Sequence, residues 1–258
     1  MPAKGNDKRE TARQRIAAKR AEEAAARARA QRRQRNLVVG IVAAVVVVVA
    51  VVAVVLVQTH RTSTSASAAV PANTTDGGYA FQVGNADAKV TLDMYEDFQC
   101  PNCKNLEDNS GATIDQLVSA GTVKVRYHGM AFLNTSKNDQ YSTRSLNAAA
   151  VVASTAGADA YDKFHQLLFA NQPEEGGSGL TDAKLISYAQ QAGATGPTVE
   201  KDIRDLTYED WTKNATEQAS KDGVTGTPTV FVNGKALANA TTATPADITA
   251  AVQAAAGS

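Results

Sequence analysis

Two cysteines separated by two residues are the most chemically informative feature of this 258-residue chain, which contains no other cysteine. They lie in the sequence Cys100-Pro101-Asn102-Cys103, and proline is well tolerated in the first turn of a helix. A helix that begins here would present its free N–H groups and positive dipole end to Cys100, which favours the thiolate. Cys103, one turn later, could then attack a mixed disulfide at Cys100. The spacing therefore predicts thiol–disulfide exchange, with Cys100 as the nucleophile and Cys103 as the resolving thiol.

Three other interpretations of the cysteine pair remain open from the residues alone. The pair could be half of a zinc site, although His60, His128 and His165 lack the spacing of zinc ligands. It could be an inert structural disulfide, although so short a loop would constrain the unfolded chain little. It could be two core thiols, although Pro101 and Asn102 suit a core segment poorly. Redox exchange is the favoured interpretation, and we expect no metal and no cofactor.

The elements around the pair must position it. Residues 89–95 and 122–127 alternate between apolar and polar side chains, which predicts two strands. Helical spacing of apolar residues predicts a helical insertion at about residues 135–205. A third short strand should end at the Asn233-Gly234 turn, and Thr244 should cap a final helix. This order predicts an α/β domain in which Cys100 follows a strand and begins a helix.

Four finer expectations follow from local patterns. Asn109–Gly111 should interrupt the helix that begins at the cysteine pair, and residues 199–221 should form one helix. His128, at the end of the second strand, is expected to be a hydrogen-bonded surface residue. His165 lies between apolar residues and is expected to pack within the insertion.

Two segments together carry a family resemblance. Residues 97–104 (DFQCPNCK), followed downstream by residues 223–229 (GVTGTPT), resemble the DsbA-like branch of the thioredoxin superfamily. The similarity covers residues 79–258 and implies a thioredoxin-like fold with a helical insertion. It also implies that Thr227–Pro228 is a cis peptide bond facing the cysteines. Such a loop would bind an extended substrate segment, and the residues that this assigns to substrate binding are Thr227, Pro228, Pro101 and Asn102.

The chain departs from the pattern of the resembling family at two positions. Many relatives have an acidic residue six positions before the first cysteine, where this chain has Met94; Asp93 and Asp97 are the candidates for proton transfer in its place. The strongly oxidising relatives usually have histidine where this chain has Asn102. We therefore expect the pKa of Cys100 to lie below that of a free thiol but above that in the most oxidising relatives.

Charged residues are divided unevenly along the chain, although the net charge is zero. Residues 1–36 contain 12 Lys/Arg and 4 Asp/Glu, a net charge of +8, whereas residues 58–258 contain 14 and 22, a net charge of −8. Residues 37–57 contain no charged side chain, and these 21 residues match the roughly 20 that a transmembrane helix needs. A cleaved signal peptide is the alternative, but its apolar core usually has only about 7–15 residues.

The charge on either side of the apolar segment predicts its orientation. Seven Lys/Arg lie in the 20 residues before it, and only Arg61 lies in the 20 after it. The positive-inside rule therefore places residues 1–36 in the cytosol, as a basic tail beside anionic lipid, and residues 58–258 outside. Residues 58–78 are rich in small polar side chains and are predicted to be a flexible linker to the domain at 79–258.

Together these patterns predict a single-pass cell-membrane protein with an extracytoplasmic thiol–disulfide oxidoreductase domain. The favoured activity is dithiol oxidation of cysteine-containing envelope or secreted proteins, and the resemblance implies reoxidation by a DsbB- or VKOR-type membrane partner. A disulfide reductase or isomerase, a non-catalytic peptide-binding module, and a passive outer domain whose basic tail recruits a partner are the alternatives. The negative charge of the outer domain argues against nucleic-acid binding there.

Overall fold

A six-stranded mixed sheet forms the centre of the computed structural model, which describes residue 65, residues 67–135 and residues 137–257. The order of strands across the sheet is β1-β2-β4-β3-β5-β6. Strands β3 and β4 are parallel, and every other neighbouring pair is antiparallel. The strands are β1 (Thr74–Thr75), β2 (Ala80–Val83), β3 (Val90–Glu96), β4 (Val123–Gly129), β5 (Thr229–Val232) and β6 (Lys235–Ala236).

Helices pack against this sheet, and four of them form the predicted insertion between β4 and the last part of the chain. The α-helices are α1 (Pro101–Leu106), α2 (Ala112–Ser119), α3 (Tyr141–Ala156), α4 (Ala158–Ala170), α5 (Asp182–Ala192), α6 (Val199–Arg204), α7 (Glu209–Lys221) and α8 (Pro245–Ala256). The α/β fold with a helical insertion agrees with the sequence prediction, and the insertion corresponds to α3–α6.

Two predicted helix boundaries are wrong. The chain does not break at Asn109–Gly111, because Glu107–Gly111 forms a turn of π-helix that joins α1 to α2. The single helix expected over residues 199–221 is divided into α6 and α7, because Leu206 between them has a φ of 53°. The spacing of apolar residues does not reveal such a local change of backbone conformation, because apolar residues before and after each boundary are buried in the same way.

The predicted caps and turn are present. The hydroxyl of Thr181 accepts the N–H of Lys184 at the start of α5. Thr244 and Asp247 form a reciprocal capping box at the start of α8. Asn233 and Gly234 both have positive φ in the turn that joins β5 to β6, as a two-residue hairpin requires. These local signals fix where the elements flanking the sheet begin and end.

The core explains why β3 ends at a defined place. Val90, Leu92 and Met94 on one face of β3 are completely buried, and α8, whose Ile248 and Val252 are buried, contacts β3. A strand buried on both faces cannot shift its register without exposing apolar side chains. The first residue after β3, Asp97, is therefore held at a fixed position at the end of this central strand.

The folded domain begins earlier in the chain than the sequence predicts. Thr74 and Thr75 pair with β2, and Asn73 Nδ2 donates to the carbonyl oxygen of Ala153. The indole Nε1 of Trp211, which lies in the core as expected, donates to the carbonyl oxygen of Gly78. Residues 74–78 belong to the domain, and the prediction that the flexible linker extends to Gly78 is wrong.

The predicted transmembrane segment, residues 37–57, lies outside the described residues. So do the basic tail, residues 1–36, and residues 58–64 of the predicted linker. Within the part of the chain that the structure describes, no helix combines the length and the apolar character that crossing a membrane requires.

Candidate active site

Cys100 lies at the junction between β3 and α1. Its backbone is extended, with φ −75° and ψ 116°, and it is the N-cap residue of α1, with Pro101 at the first helical position. Both cysteines are free thiols; Cys103 is completely buried, whereas Cys100 retains 5 % exposure. Pro101 and Asn102 between them are exposed. The structure thus has the strand, cap and helix arrangement that the spacing of the cysteines predicts.

The loop before β5 faces Cys100. The peptide bond between Thr227 and Pro228 is cis, as the sequence predicts. The thiol of Cys100 donates a hydrogen bond to the carbonyl oxygen of Thr227 over 3.4 Å, across a separation of 127 residues. Pro228 is buried and Thr227 is half-buried. The fold therefore brings together the residues that the sequence assigns to the redox pair and to the substrate loop.

The two thiols have very different acidities. A hydrogen bond from the Cys103 thiol lowers the pKa of Cys100 to about 6, although burial acts against this; Thr227 and the backbone N–H groups of Cys103 and Asn102 contribute in the same direction. Burial raises the pKa of Cys103 far above its usual value. At neutral pH, Cys100 is a thiolate and Cys103 keeps its proton. This asymmetry suits one nucleophile and one shielded thiol.

Neither of the carboxylates expected to transfer protons is directed at the cysteines. Asp97 Oδ2 accepts the N–H groups of Phe132 and Leu133, and its Oδ1 accepts that of Gln99. Burial raises the pKa of Asp97 to about 6, although these bonds to the carboxylate oppose the shift. Its hydrogen bonds anchor the loop that follows β4 to the residues before Cys100.

Asp93 belongs to a separate polar cluster. It forms an ion pair with Arg126 at 2.6 Å and lies 3.1 Å from His128 Nε2. Although burial acts against it, the hydrogen bonds with His128 and Arg126 hold the pKa of Asp93 below its usual value. His128 is itself buried and stacks on Tyr95, so the expectation of a surface histidine is wrong, although its hydrogen bond is present.

Glu96 is the acidic side chain that lies near the cysteines, and the sequence analysis did not single it out. It is the last residue of β3 and is 5 % exposed. Burial and the negative charge of Cys100 raise the pKa of Glu96 to about 8, and the charge of Glu96 in turn helps to raise the pKa of Cys103. Alternation along a strand places Glu96 on the same face as Met94, whereas Asp93 faces the other way. The alternation of side chains along β3 was therefore the feature of the sequence that could have predicted Glu96.

Two further side chains surround the carboxyl group of Glu96. His165 Nε2 lies 2.8 Å from Glu96 Oε2, so this histidine contacts the strand before Cys100 as well as packing within the insertion. Glu107, in the π-helical turn, places a carboxylate oxygen within 4.8 Å of Glu96, and burial together with the charge of Glu96 raises the pKa of Glu107 to about 8. Both carboxyl groups therefore hold protons at neutral pH.

This three-residue cluster also has the composition of a metal site. The donor atoms of Glu96, Glu107 and His165 all lie within 4.8 Å of one another, and two carboxylates with an imidazole can bind a divalent cation. One of these contacts is already a hydrogen bond, between His165 and Glu96. The pKa values of both carboxyl groups are raised, which favours neutralisation of these groups by bound protons over neutralisation by a metal ion.

Comparison with known proteins adds an independent finding. The family model described as thioredoxin matches residues 76–254. The reduced form of the disulfide bond oxidoreductase DsbG from Mycobacterium tuberculosis is 31% identical, with a TM-score of 0.63; the match covers 71% of this chain and 90% of that one. Reduced DsbA from the same organism is 30% identical, with a TM-score of 0.59, covering 70% and 98%.

A curated relative matches the same part of the chain within a larger protein. The serine/threonine-protein kinase PknE of Mycobacterium tuberculosis (strain ATCC 25618 / H37Rv) is 34% identical over 157 residues, which are 58% of this chain. The match spans only 28% of the length of that kinase. The similarity therefore concerns one domain of this relative, and it carries no information on the rest.

Proposed function

The chain belongs to the thioredoxin family, in its DsbA-like branch, and from this premise we propose that it is a thiol–disulfide oxidoreductase that oxidises pairs of thiols in cysteine-containing proteins. One observation carries the proposal. The acidic thiol of Cys100 lies against the carbonyl oxygen of Thr227, beside the cis proline, and Cys103 lies completely buried behind it. A low-pKa thiol at a helix N-terminus with a shielded partner is the arrangement that disulfide exchange needs.

The proposed reaction begins with the Cys100–Cys103 disulfide. A substrate thiolate attacks Cys100 Sγ, so that a mixed disulfide forms and the bond between the two enzyme sulfurs breaks. Cys103 leaves as a thiolate, and because its pKa is high it must be protonated. Glu96, which carries a proton at neutral pH and lies near it, is the acid we assign to this step.

A second substrate thiolate completes the reaction. It attacks the substrate sulfur of the mixed disulfide and releases Cys100, whose low pKa makes it a good leaving group. The substrate then holds a new disulfide, and its two electrons remain on the enzyme as the reduced pair. Thr227 and Pro228, with the exposed Pro101 and Asn102, line the position from which an extended substrate segment would approach.

Equilibration of the full chain with glutathione buffers tests this proposal. Thioredoxin has a reduction potential of roughly −270 mV and DsbA one of roughly −120 mV. We expect a value clearly above that of thioredoxin, because the stabilised Cys100 thiolate favours the reduced form. A value near that of thioredoxin would contradict the oxidase direction and support a reductase. A disulfide that does not exchange at all would instead support a non-catalytic peptide-binding module.

An isomerase or reductase direction is the second candidate. The chain is as similar to the disulfide bond oxidoreductase DsbG as it is to DsbA, so the comparisons do not select the oxidising direction. Reactivation of a scrambled-disulfide substrate distinguishes the two directions, because an isomerase acts on it as the reduced enzyme without net oxidation. Equal reactivation with and without Cys100 would exclude the isomerase direction.

We further propose that the domain acts outside the cytoplasm, tethered by residues 37–57, with residues 1–36 in the cytosol. The uncharged 21-residue segment and the unequal charge on its two sides support this arrangement. Its substrates would then be envelope or secreted proteins, and a DsbB- or VKOR-type membrane protein would reoxidise the reduced pair. Retention of the full chain in membranes washed with alkaline carbonate, with residues 79–258 open to external protease, would support it. Release from the membranes would overturn it.

A further inference from the structure

The five residues Glu96–Cys100, here called the redox turn, connect β3 to α1. Side chains from residues 138–172, which come later in the chain, hold the redox turn in place. His165 bonds to Glu96, and the side chain of Phe98 packs on the ring of Phe169 with centroids 5.3 Å apart. Asn138 Nδ2 donates to the side-chain oxygen of Gln99. The redox turn therefore has few degrees of freedom of its own.

Gln172 makes a contact of another kind, because it binds the backbone of the redox turn. It follows α4 by two residues, and its Nε2 donates to the carbonyl oxygen of Phe98 at 3.1 Å and to that of Cys100 at 2.9 Å. A side-chain amide nitrogen carries two hydrogens, so both bonds can form at once. One amide group thus binds the carbonyl groups on both sides of Gln99, those of Phe98 and Cys100.

The Cys100 carbonyl is the first acceptor of α1. It also accepts the N–H groups of Cys103 and Lys104, and these bonds define the first turn of the helix. The N–H groups of Asn102 and Cys103 approach Cys100 Sγ only while the Cys100 backbone keeps its extended conformation, with ψ 116°. The chain bends at Cys100, where the redox turn passes into α1. A donor that binds the carbonyl groups of Phe98 and Cys100 therefore controls the direction of these N–H groups relative to the sulfur.

Resting on the proposed oxidoreductase function, we propose that Gln172 is a positioning residue: its amide group fixes the redox turn so that the first N–H groups of α1 point at the sulfur of Cys100. Gln172 does not touch either sulfur and acts through the two carbonyls. Its loss leaves both cysteines and the cis proline in place but lets the bend relax. The thiolate of Cys100 then loses part of its stabilisation, and the disulfide form gains relative to the dithiol form.

The test compares full-length Gln172→Met with a matched control, Gln166→Met. Methionine keeps the length of the side chain and removes the donor; Gln166 is an exposed glutamine on α4 that bonds to Asp115 and Asp162. We expect Gln172→Met to raise the midpoint of the thiolate ultraviolet absorbance by about one pH unit. We also expect it to shift the glutathione equilibrium about tenfold toward the disulfide, or about 30 mV for a two-electron couple. Gln166→Met should change neither value.

A second variant separates hydrogen bonding from packing. Gln172→Lys keeps an N–H donor of similar reach, so we expect its thiolate midpoint to lie at or below that of the unaltered chain. A midpoint raised as much as in Gln172→Met would overturn the proposal, as would unchanged values in a folded Gln172→Met. If the unaltered chain fails to exchange with glutathione, the proposed function fails instead, and this result is read before any variant is compared.

Discussion

Nε2 of His165 lies 2.8 Å from Oε2 of Glu96, so the helical insertion contacts the acidic group beneath the cysteine pair directly. Both side chains are buried, and the ring of His165 packs among Tyr127, Phe98 and Phe169. Burial lowers the pKa of His165, so the ring is neutral at pH 7. The histidine thus orients Glu96 without giving it a compensating charge, which keeps the carboxyl group protonated.

Replacing Glu96 with glutamine should slow the first exchange step. Glutamine keeps the shape of the side chain but cannot supply the proton that Cys103 needs as it leaves. We expect reduction of the oxidised enzyme by a small dithiol to slow by about 100-fold at neutral pH. Rapid-mixing measurement of the thiolate absorbance follows this step. Asp93→Asn, on the opposite face of β3, is the control and should leave the rate unchanged. An equal rate in Glu96→Gln would contradict the assignment.

Stability should fall as the pH rises through the titration of Glu96. Its pKa is about 8 in the folded chain against an ordinary value of 4.5, so the folded state binds a proton more tightly than the unfolded state. The contribution is complete below about pH 4.5 and is lost as the pH rises toward 8. Denaturant titrations at pH 5 and pH 8 should show a loss of a few kcal/mol in the free energy of unfolding. Glu96→Gln should make that loss smaller, and an identical pH dependence would contradict this account.

Asn102→His should make the enzyme more oxidising. A histidine beside the helix N-terminus can carry a positive charge, which stabilises the Cys100 thiolate more than the amide dipole does. The thiolate midpoint should fall from about 6 in the unaltered chain, and the glutathione equilibrium should move toward the dithiol. Asn105→His places the same ring on an exposed position of α1, one turn away, and should have a smaller effect. Equal effects at the two positions would show that the added positive charge acts at long range, and would contradict a specific role for position 102.

Cys103→Ala should trap substrate proteins on Cys100. Without Cys103, the Cys100 thiolate can still attack a disulfide of a substrate protein, and Cys103 can no longer attack the mixed disulfide that forms; it persists until a substrate thiol or an external thiol releases it. Non-reducing electrophoresis of cells expressing the variant should show new high-mass species that disappear on reduction. The double variant that also lacks Cys100 should show none. If Cys103→Ala forms no such species, the peptide-binding alternative gains support.

Asp97→Asn should weaken the fold and spare the chemistry. An amide has one acceptor oxygen, whereas Asp97 uses both carboxylate oxygens for backbone N–H groups. A buried donor left without a partner costs about 1–3 kcal/mol, which should appear in the free energy of unfolding. Asp108→Asn, on the exposed side of the same region, should cost far less, because its pairing with Lys104 is screened by water. A large change in the exchange rate with unchanged stability would assign Asp97 a chemical role.

The sequence was sufficient for the residues whose function depends on local spacing. Cys100 at a helix start, Thr244 as a cap and Asn233-Gly234 as a turn are all defined within a few residues of the chain. Glu96 was not predicted, because the family pattern points to the position of Met94, and the acidic group lies two residues later on the same face of β3. Gln172 and His165 act on residues 72 and 69 positions away, and no local pattern records such distances.

The contact between Cys100 and Thr227 has a consequence for the order in which the chain is made. The cysteine pair is synthesised long before residue 227, so a growing chain holds two thiols without the carbonyl group that later receives the Cys100 hydrogen bond. During that interval the segments that hold the redox turn are also incomplete. The low pKa of Cys100 depends mainly on Cys103 and the first N–H groups of α1, so only the contribution of Thr227 is added near the end of synthesis. The loop beside the cysteines, with its cis Thr227–Pro228 bond, is thus the last part of the site to be made, and a growing chain holds the cysteine pair before that loop faces it.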